Sequence, residues 1–159
     1  MPKLSSSGPR PASGFTLIEL MVVVLIVTIL TVIAVPSYLN QTLKSHRTEA
    51  KSILLDLASR QERFMATNGV YSAAATDMGY TGTWPQNVGS NYYSVSMPNG
   101  VTAAGAGTAT TAATPAKFVF TATAIGNQTK DTLCATLSID QTGSQTSTNS
   151  TGGNSTGCW

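Results

Sequence analysis

Residues 14–36 read GFTLIELMVVVLIVTILTVIAVP, and the rest of the chain is organised around them. Residues 15–35 make a run of about 21 which, as a helix, reaches ~31 Å, the thickness of a bilayer's hydrocarbon core. The run is long and apolar enough to cross a membrane. Its single charged residue is Glu19, and a carboxylate inside an apolar helix costs several kcal/mol unless it meets a partner or neutralises. At the very end of the span it would reach headgroup water and the segment would be an ordinary anchor; deeper in, it needs a cation.

The surroundings of Glu19 favour the second account. Residues 1–14, MPKLSSSGPRPASG, are rich in Pro, Ser and Gly, carry Lys3 and Arg10, and have no apolar core. A secretory signal needs its hydrophobic region before the cleavage site, so the apolar run here is expected to be kept. Gly14, then Phe15, then an acid four residues further on complete the pattern. The whole string resembles the class III signal of type IV pilins.

In that family a prepilin peptidase, a membrane aspartyl protease, cuts after the glycine and methylates the new amino terminus. The resemblance implies that Gly14 is the last leader residue, Phe15 the N-methylated mature terminus, and Glu19 the acid that forms an assembly salt bridge. The chemistry is coherent on its own terms. A free α-amino group has a reference pKa near 8, so cleavage creates the positive charge that a buried Glu19 requires. One helical turn separates the two groups, so they can pair within a chain or between neighbours in a staggered filament. The family favours the pairing between neighbours.

With 159 residues and 16.5 kDa, the chain has room for one modest domain once leader and anchor are set aside. Charged residues make up only 10%, and the formal net charge of +2 disappears if Lys3 and Arg10 leave with the leader. That balance argues against strong nucleic-acid or anionic-membrane binding by bulk charge. Lys3 and Arg10 ahead of the span favour a cytoplasmic N-terminus, a contrast weakened by Lys44 and Arg47 beyond it. The domain that follows then faces an oxidising compartment, where a disulfide between the two cysteines, Cys134 and Cys158, is the expected state. Metal binding is the weaker reading, since no CxxC motif or paired histidines accompany them.

Pro36 removes one backbone hydrogen bond and is expected to kink the helix. Relatives in the resembled family usually carry a glycine partway along the run, where this chain has Thr28. Beyond Pro36, Leu39, Leu43, Ala50, Ile53, Leu54, Leu57, Gln61 and Phe64 recur at helical spacing. Asp56 and Arg60 sit one turn apart on the solvated side, and Asn68-Gly69 is a plausible stop. The spacing therefore predicts one helix over residues 15–67. Residues 69–90 read as a loop with at most a short helical turn. Residues 92–97, 117–125 and 133–139 have the alternation or β-rich composition of strands. A Gly, Ala and Thr stretch, 99–115, separates the first two, and residues 126–131 form the turn between the others. Residues 141–157, almost all Thr, Ser, Gly, Asn and Gln, would be floppy unless Cys158 ties them back to Cys134.

The expected fold is α+β: a long N-terminal helix, half hydrophobic anchor and half amphipathic, packed on a small antiparallel sheet in the type IV pilin manner. Its divisions are a leader over 1–14, a transmembrane and assembly helix over 15–36, an amphipathic helix over 37–68, and a head over 69–159. The Cys-Trp ending is similar to PilE-type minor pilins of the priming set.

Nothing points to an enzyme, a cofactor or a metal site. His46 is the only histidine and, beside Lys44 and Arg47, reads as a solvated helix residue. Asp56, Glu62, Asp77, Asp131 and Asp140 show no paired-carboxylate or calcium-loop spacing and read as surface charge. Trp84, Tyr92 and Tyr93 read as core or interface and not as base-stacking platforms. The resemblance implies a structural pilus subunit whose partners are other pilins, the prepilin peptidase and the inner-membrane assembly platform. It would reside in the bacterial inner membrane with the head in the periplasm, then in the extracellular pilus. The alternatives are a type II secretion pseudopilin, or a tip-located adhesion or DNA-uptake pilin for which Lys117, Lys130 and the Thr/Ser/Gly loops are the only pointers.

Overall fold

The computed structural model describes residues 14–105 and 115–159; the leader with Lys3 and Arg10, and most of the 99–115 stretch, lie outside the described residues. The chain divides into two compact units, Met1–Asn40 and Gln41–Trp159. Helix α1, Leu17–Asn68, contributes to both and runs without a break through Thr28 and Pro36.

In the first unit the described side chains are exposed from residue 14 onward, including nearly every large apolar one between Phe15 and Tyr38. Such a surface is unstable in water and needs lipid or neighbouring helices. The hydroxyls of Thr28 and Thr31 donate to Val24 O and Val27 O one turn back, at 2.8 and 2.7 Å. Their polarity is thereby absorbed inside the helix, as an apolar environment demands. Pro36 offers no N–H to the Val32 carbonyl, so one rung of the ladder is missing there.

In the second unit, residues 41–68 of α1 bury Ala50, Leu54, Leu57 and Gln61, a single stripe at spacings of four and three. The stripe lies on an antiparallel sheet built from β1 (Gln86–Val88), β2 (Tyr93–Ser96), β3 (Val101–Thr102), β4 (Lys117–Ala124), β5 (Thr136–Asp140) and β6 (Gln145–Thr148). Strand order is β1-β2-β4-β5-β6, with β3 pairing β4 off that path. In β4 the residues Phe118, Phe120, Ala122 and Ala124 alternate inward and are all buried. Across from them lie Val95 and Tyr93 on β2 and Leu137 and Ile139 on β5. A slip of one residue would turn both phenylalanines to water, so this alternation fixes the register. Phe118, Phe120, Leu54 and Leu57 are each at most 1% exposed, and burial of such a side chain contributes about 1.5–3 kcal/mol.

The helix expected over residues 15–67 starts two residues later, at Leu17, and ends one later, at Asn68, with Gly69 at φ 74° receiving the chain and donating to Met65 O at 2.8 Å. The three predicted strands are present, the last shifted: residues 133–135 precede β5 and are not part of it. Three short strands were not anticipated. β1 lies inside the region read as loop, β3 inside the 99–115 stretch, and β6 inside the segment read as merely tethered. Residues 126–131 are also more than a turn, since Gly126–Lys130 forms a 3-10 helix that buries Gln128.

Candidate functional site

At the start of α1, Thr16 occupies the N-cap position. Its hydroxyl accepts from the Glu19 N–H at 3.3 Å, and its carbonyl from the Leu20 N–H at 3.2 Å. Thr16 and Glu19 therefore stand at the two positions of a capping box, with the carboxylate in the first turn where the helix dipole favours an anion. Phe15, 84% exposed, sits just outside the helix. A charge on its nitrogen would be created four residues, about one turn, from the Glu19 carboxylate. Glu19 and Phe15 are marked in the sequence by the apolar run around them, whereas Thr16 is marked only by the four-residue pattern T-x-x-E.

In the head, a polar cluster joins α1 to the 3-10 helix Gly126–Lys130. Arg47 grips Asp131 through two N–H groups, Nε to Oδ2 and Nη2 to Oδ1, the latter at 2.6 Å. The Asp131 side chain is 2% exposed and the Arg47 side chain 15%. Gln128, fully buried, donates from Nε2 toward Leu43 O, the Tyr93 hydroxyl and Asp131 Oδ2. Two of those groups can only accept, which fixes the amide's orientation and turns Oε1 toward His46. His46 Nδ1, 2.9 Å away, must therefore be the donor. The imidazole also stacks on Tyr92 with ring centres 3.5 Å apart. Burial pushes the Tyr93 phenol up to about 12, against the pull of the Gln128 hydrogen bond.

These contacts correct two expectations. Asp131 is not surface charge but the buried anion of an ion pair, and His46 is not solvated but clasped between Tyr92 and Gln128. Both were misread because the partner lies more than 80 positions away in sequence. Asp56 does pair with Arg60 one turn on, at 2.7 Å and largely exposed, an interaction worth a few tenths of a kcal/mol. Asp140 closes the β5–β6 hairpin. Slight burial raises its pKa, but hydrogen bonds from the Thr142 hydroxyl and from the Thr142 and Ser144 N–H groups outweigh that and leave it below the usual carboxylate value.

Cys134 and Cys158 are bonded to each other, with Cα atoms 5.7 Å apart, and both are buried. Asp131 reaches this bridge too, its carbonyl and Oδ1 accepting from the Cys134 N–H. The tail that the bridge returns is paired as well as tied. Ser155 N–H donates to Ser147 O at 2.9 Å, Ser147 Oγ to Ser155 O at 2.8 Å, and Trp159 Nε1 to Thr146 O at 2.7 Å. Replacing both cysteines with alanine should cost ~2–4 kcal/mol and release residues 154–159 from protection. Urea unfolding with amide exchange checks this, and unchanged protection of the Ser155 N–H would show that pairing with β6 suffices to hold the tail. Among the described residues no group of three or more metal-ligating side chains comes together. Trp84 and Tyr93 belong to the core and its margin, as expected.

Residues 36–138 match the family model described as type IV minor pilin ComP, DNA uptake sequence receptor. Residues 9–35 match that of the prokaryotic N-terminal methylation motif. The type IV wide pilus major component PilA4 of Thermus thermophilus is 36% identical over 116 residues, 70% of this chain and 88% of that protein. The type IV major pilin protein PilA of Myxococcus xanthus is 40% identical over 78 residues, 49% of this chain. The chain spans 35% of the length of the Myxococcus protein.

Proposed function

The chain belongs to the type IV pilin family, and from that premise we propose that it is a structural subunit, of the minor or priming kind, of a type IV pilus. The apolar part of α1 serves first as the membrane anchor and then as the segment through which subunits polymerise. In this reading the N-terminus is cytoplasmic and the head periplasmic before assembly, and the partners are other pilins, the prepilin peptidase and the assembly platform.

The observation that carries the reading is Glu19, the single charged residue of the apolar run 15–35, in the first turn of α1 and four residues after Phe15. Hydrolysis of the Gly14–Phe15 peptide bond leaves a carboxylate on Gly14 and a protonated amine on Phe15. That nitrogen then gives up a proton and takes one methyl group from a methyl donor that the peptidase must bind. Gly14 has no Cβ, which lets the backbone lie close in a protease cleft. The expected product starts at Phe15, carries one methyl and retains the disulfide. Intact-mass analysis of protein from membranes containing the peptidase tests this, and retention of residues 1–14 would overturn it.

A DNA-uptake role is the second reading, favoured by the match to a family model described as a DNA uptake sequence receptor. Physical chemistry gives it less support. The second unit holds seven basic residues against six acidic ones, and Arg47 and Arg60 are already engaged by Asp131 and Asp56. Duplex DNA binding by the purified chain that weakens steeply with salt would favour this second reading. Its absence at physiological salt would favour the structural one.

A further inference from the structure

We propose that Asn99 is a site of slow self-modification, at which the folded head converts its own asparagine to isoaspartate and aspartate without an enzyme. An asparagine followed by glycine is the pair in which this chemistry meets least resistance, because no Cβ on the second residue keeps its nitrogen from the side-chain carbonyl. The chain has two such pairs, Asn68-Gly69 and Asn99-Gly100, and their surroundings differ. Asn68 is the last residue of α1. Its Nδ2 donates to Phe64 O at 3.1 Å, and the Gly69 N–H donates to Met65 O at 2.8 Å. Both reacting groups are held in the helix end, and both bonds must break before they can meet.

Asn99 stands where the pairing along β4 is interrupted. Ser96 of β2 faces Thr121, and Val101 of β3 faces Phe118, so the four residues 97–100 lie opposite only two, Val119 and Phe120. A turn that bulges from the ladder takes up the excess, with Pro98 setting φ ahead of Asn99. One backbone hydrogen bond closes it, from the Gly100 N–H to Met97 O at 3.0 Å. Met97 is buried and anchors the turn, whereas Pro98 and Asn99 are exposed. The Asn99 carboxamide has no hydrogen-bonding partner among the described residues, and the space beside Gly100 is open. A single bond in an exposed turn, followed by a strand of two residues, opens locally at little cost.

Once the turn opens, hydroxide removes the Gly100 amide proton and the nitrogen attacks Asn99 Cγ. A C–N bond forms, Nδ2 leaves as ammonia, and a succinimide ring closes. Water then opens the ring. Cleavage between Cγ and the nitrogen gives aspartate; cleavage between the Asn99 backbone carbonyl and the nitrogen gives isoaspartate, with the chain running through Cβ and Cγ. The net reaction consumes one water and releases one ammonia. Either product adds a carboxylate, which brings the second unit from six acidic side chains to seven, equal to its seven basic ones. Isoaspartate also lengthens the backbone by one carbon. A bulge that already holds two surplus residues can absorb that without shifting the pairing of β2 with β4. The alternative is that the Gly100–Met97 hydrogen bond protects Asn99 as well as the helix end protects Asn68. The proposal concerns the head alone and holds whether or not the chain polymerises.

The test incubates the full-length chain in detergent micelles at mildly alkaline pH, once folded and once in urea. Peptide mapping with tandem mass spectrometry follows each Asn-Gly pair, and an isoaspartyl methyltransferase with a labelled methyl donor scores isoaspartate separately. Protection is the rate in urea divided by the rate in the folded chain. It should be about tenfold or more larger for Asn68 than for Asn99, the effect on a barrier of the additional hydrogen bond and the helix end. Conversion at Asn99 should quicken as pH rises, because the nucleophile is the deprotonated amide. Isoaspartate should form there, and the converted chain should unfold at the same urea concentration as the unconverted one. The proposal is overturned if Asn99 survives in the folded chain while it converts in urea, if the two pairs are equally protected, if aspartate forms without isoaspartate, or if conversion lowers the urea midpoint.

Discussion

Replacing Arg47 with methionine should destabilise the head by about 3–5 kcal/mol. The size follows from what is left behind. The Asp131 side chain is 2% exposed, and without Arg47 its carboxylate keeps only the weaker donors Gln128 Nε2 and Cys134 N–H. Those are neutral groups and do not compensate a buried charge. The converse change, Asp131→Leu, should cost less, because the Arg47 side chain is already 15% exposed and can swing its guanidinium to water along an apolar stem. The double variant Arg47→Met with Asp131→Leu should recover much of the loss, since apolar replacements for a buried pair are often neutral. Urea unfolding of the detergent-solubilised chain measures all three. A cost within about 1 kcal/mol for Arg47→Met would mean that the carboxylate reaches solvent and that the pair merely decorates the loop.

Replacing Glu19 with alanine should leave the amount of protein in the membrane unchanged or higher while its incorporation into filaments falls roughly tenfold or more. Insertion gains because an isolated carboxylate no longer has to enter lipid. Assembly loses because the Phe15 amine then meets no anion in a low-dielectric environment. Abundance in sheared surface filaments against inner membrane separates the two. Normal incorporation would remove Glu19 from the mechanism, and loss from both fractions would assign it to folding or insertion. Thr16→Ala supplies the control that the structure makes necessary. It removes the cap hydroxyl, a loss of about 1 kcal/mol to the helix start, but keeps the carboxylate. If Glu19 acts through its charge, Thr16→Ala filaments should form; if it acts by closing the first turn, the two variants should fail alike.

What the sequence by itself determined lies in segments whose behaviour is local. The apolar run of residues 15–35 reports its helix and its environment through length and composition, because each residue there faces the same medium. The stripe Ala50, Leu54, Leu57 and Gln61 reports the second half of α1 through periodicity, and β4 reports itself through the alternation of Phe118 and Phe120. The cysteine pairing was legible because only two cysteines exist. Even Thr16 was within reach, since a capping box is a four-residue pattern.

Only the tertiary structure decided the rest. Strand β6, QTST, has one buried residue of four and no apolar alternation to announce it; it is a strand because Leu137 and Ile139 hold β5 in the core and leave an open row of N–H and C=O groups beside it. The same holds for β1, three residues that form only against β2. Asp131, Gln128 and His46 are polar residues in a turn and on a helix, and their composition matches that of solvated ones. Burial of such groups becomes tolerable only when partners arrive from more than 80 positions away. The tail lies along β6 through the Ser147–Ser155 hydrogen bonds with Cys158 bonded to Cys134, a placement that its Thr, Ser, Gly and Asn composition does not announce. A hydrogen bond or an ion pair depends on where both groups finally stand, and a chain's periodicity describes only one of them at a time.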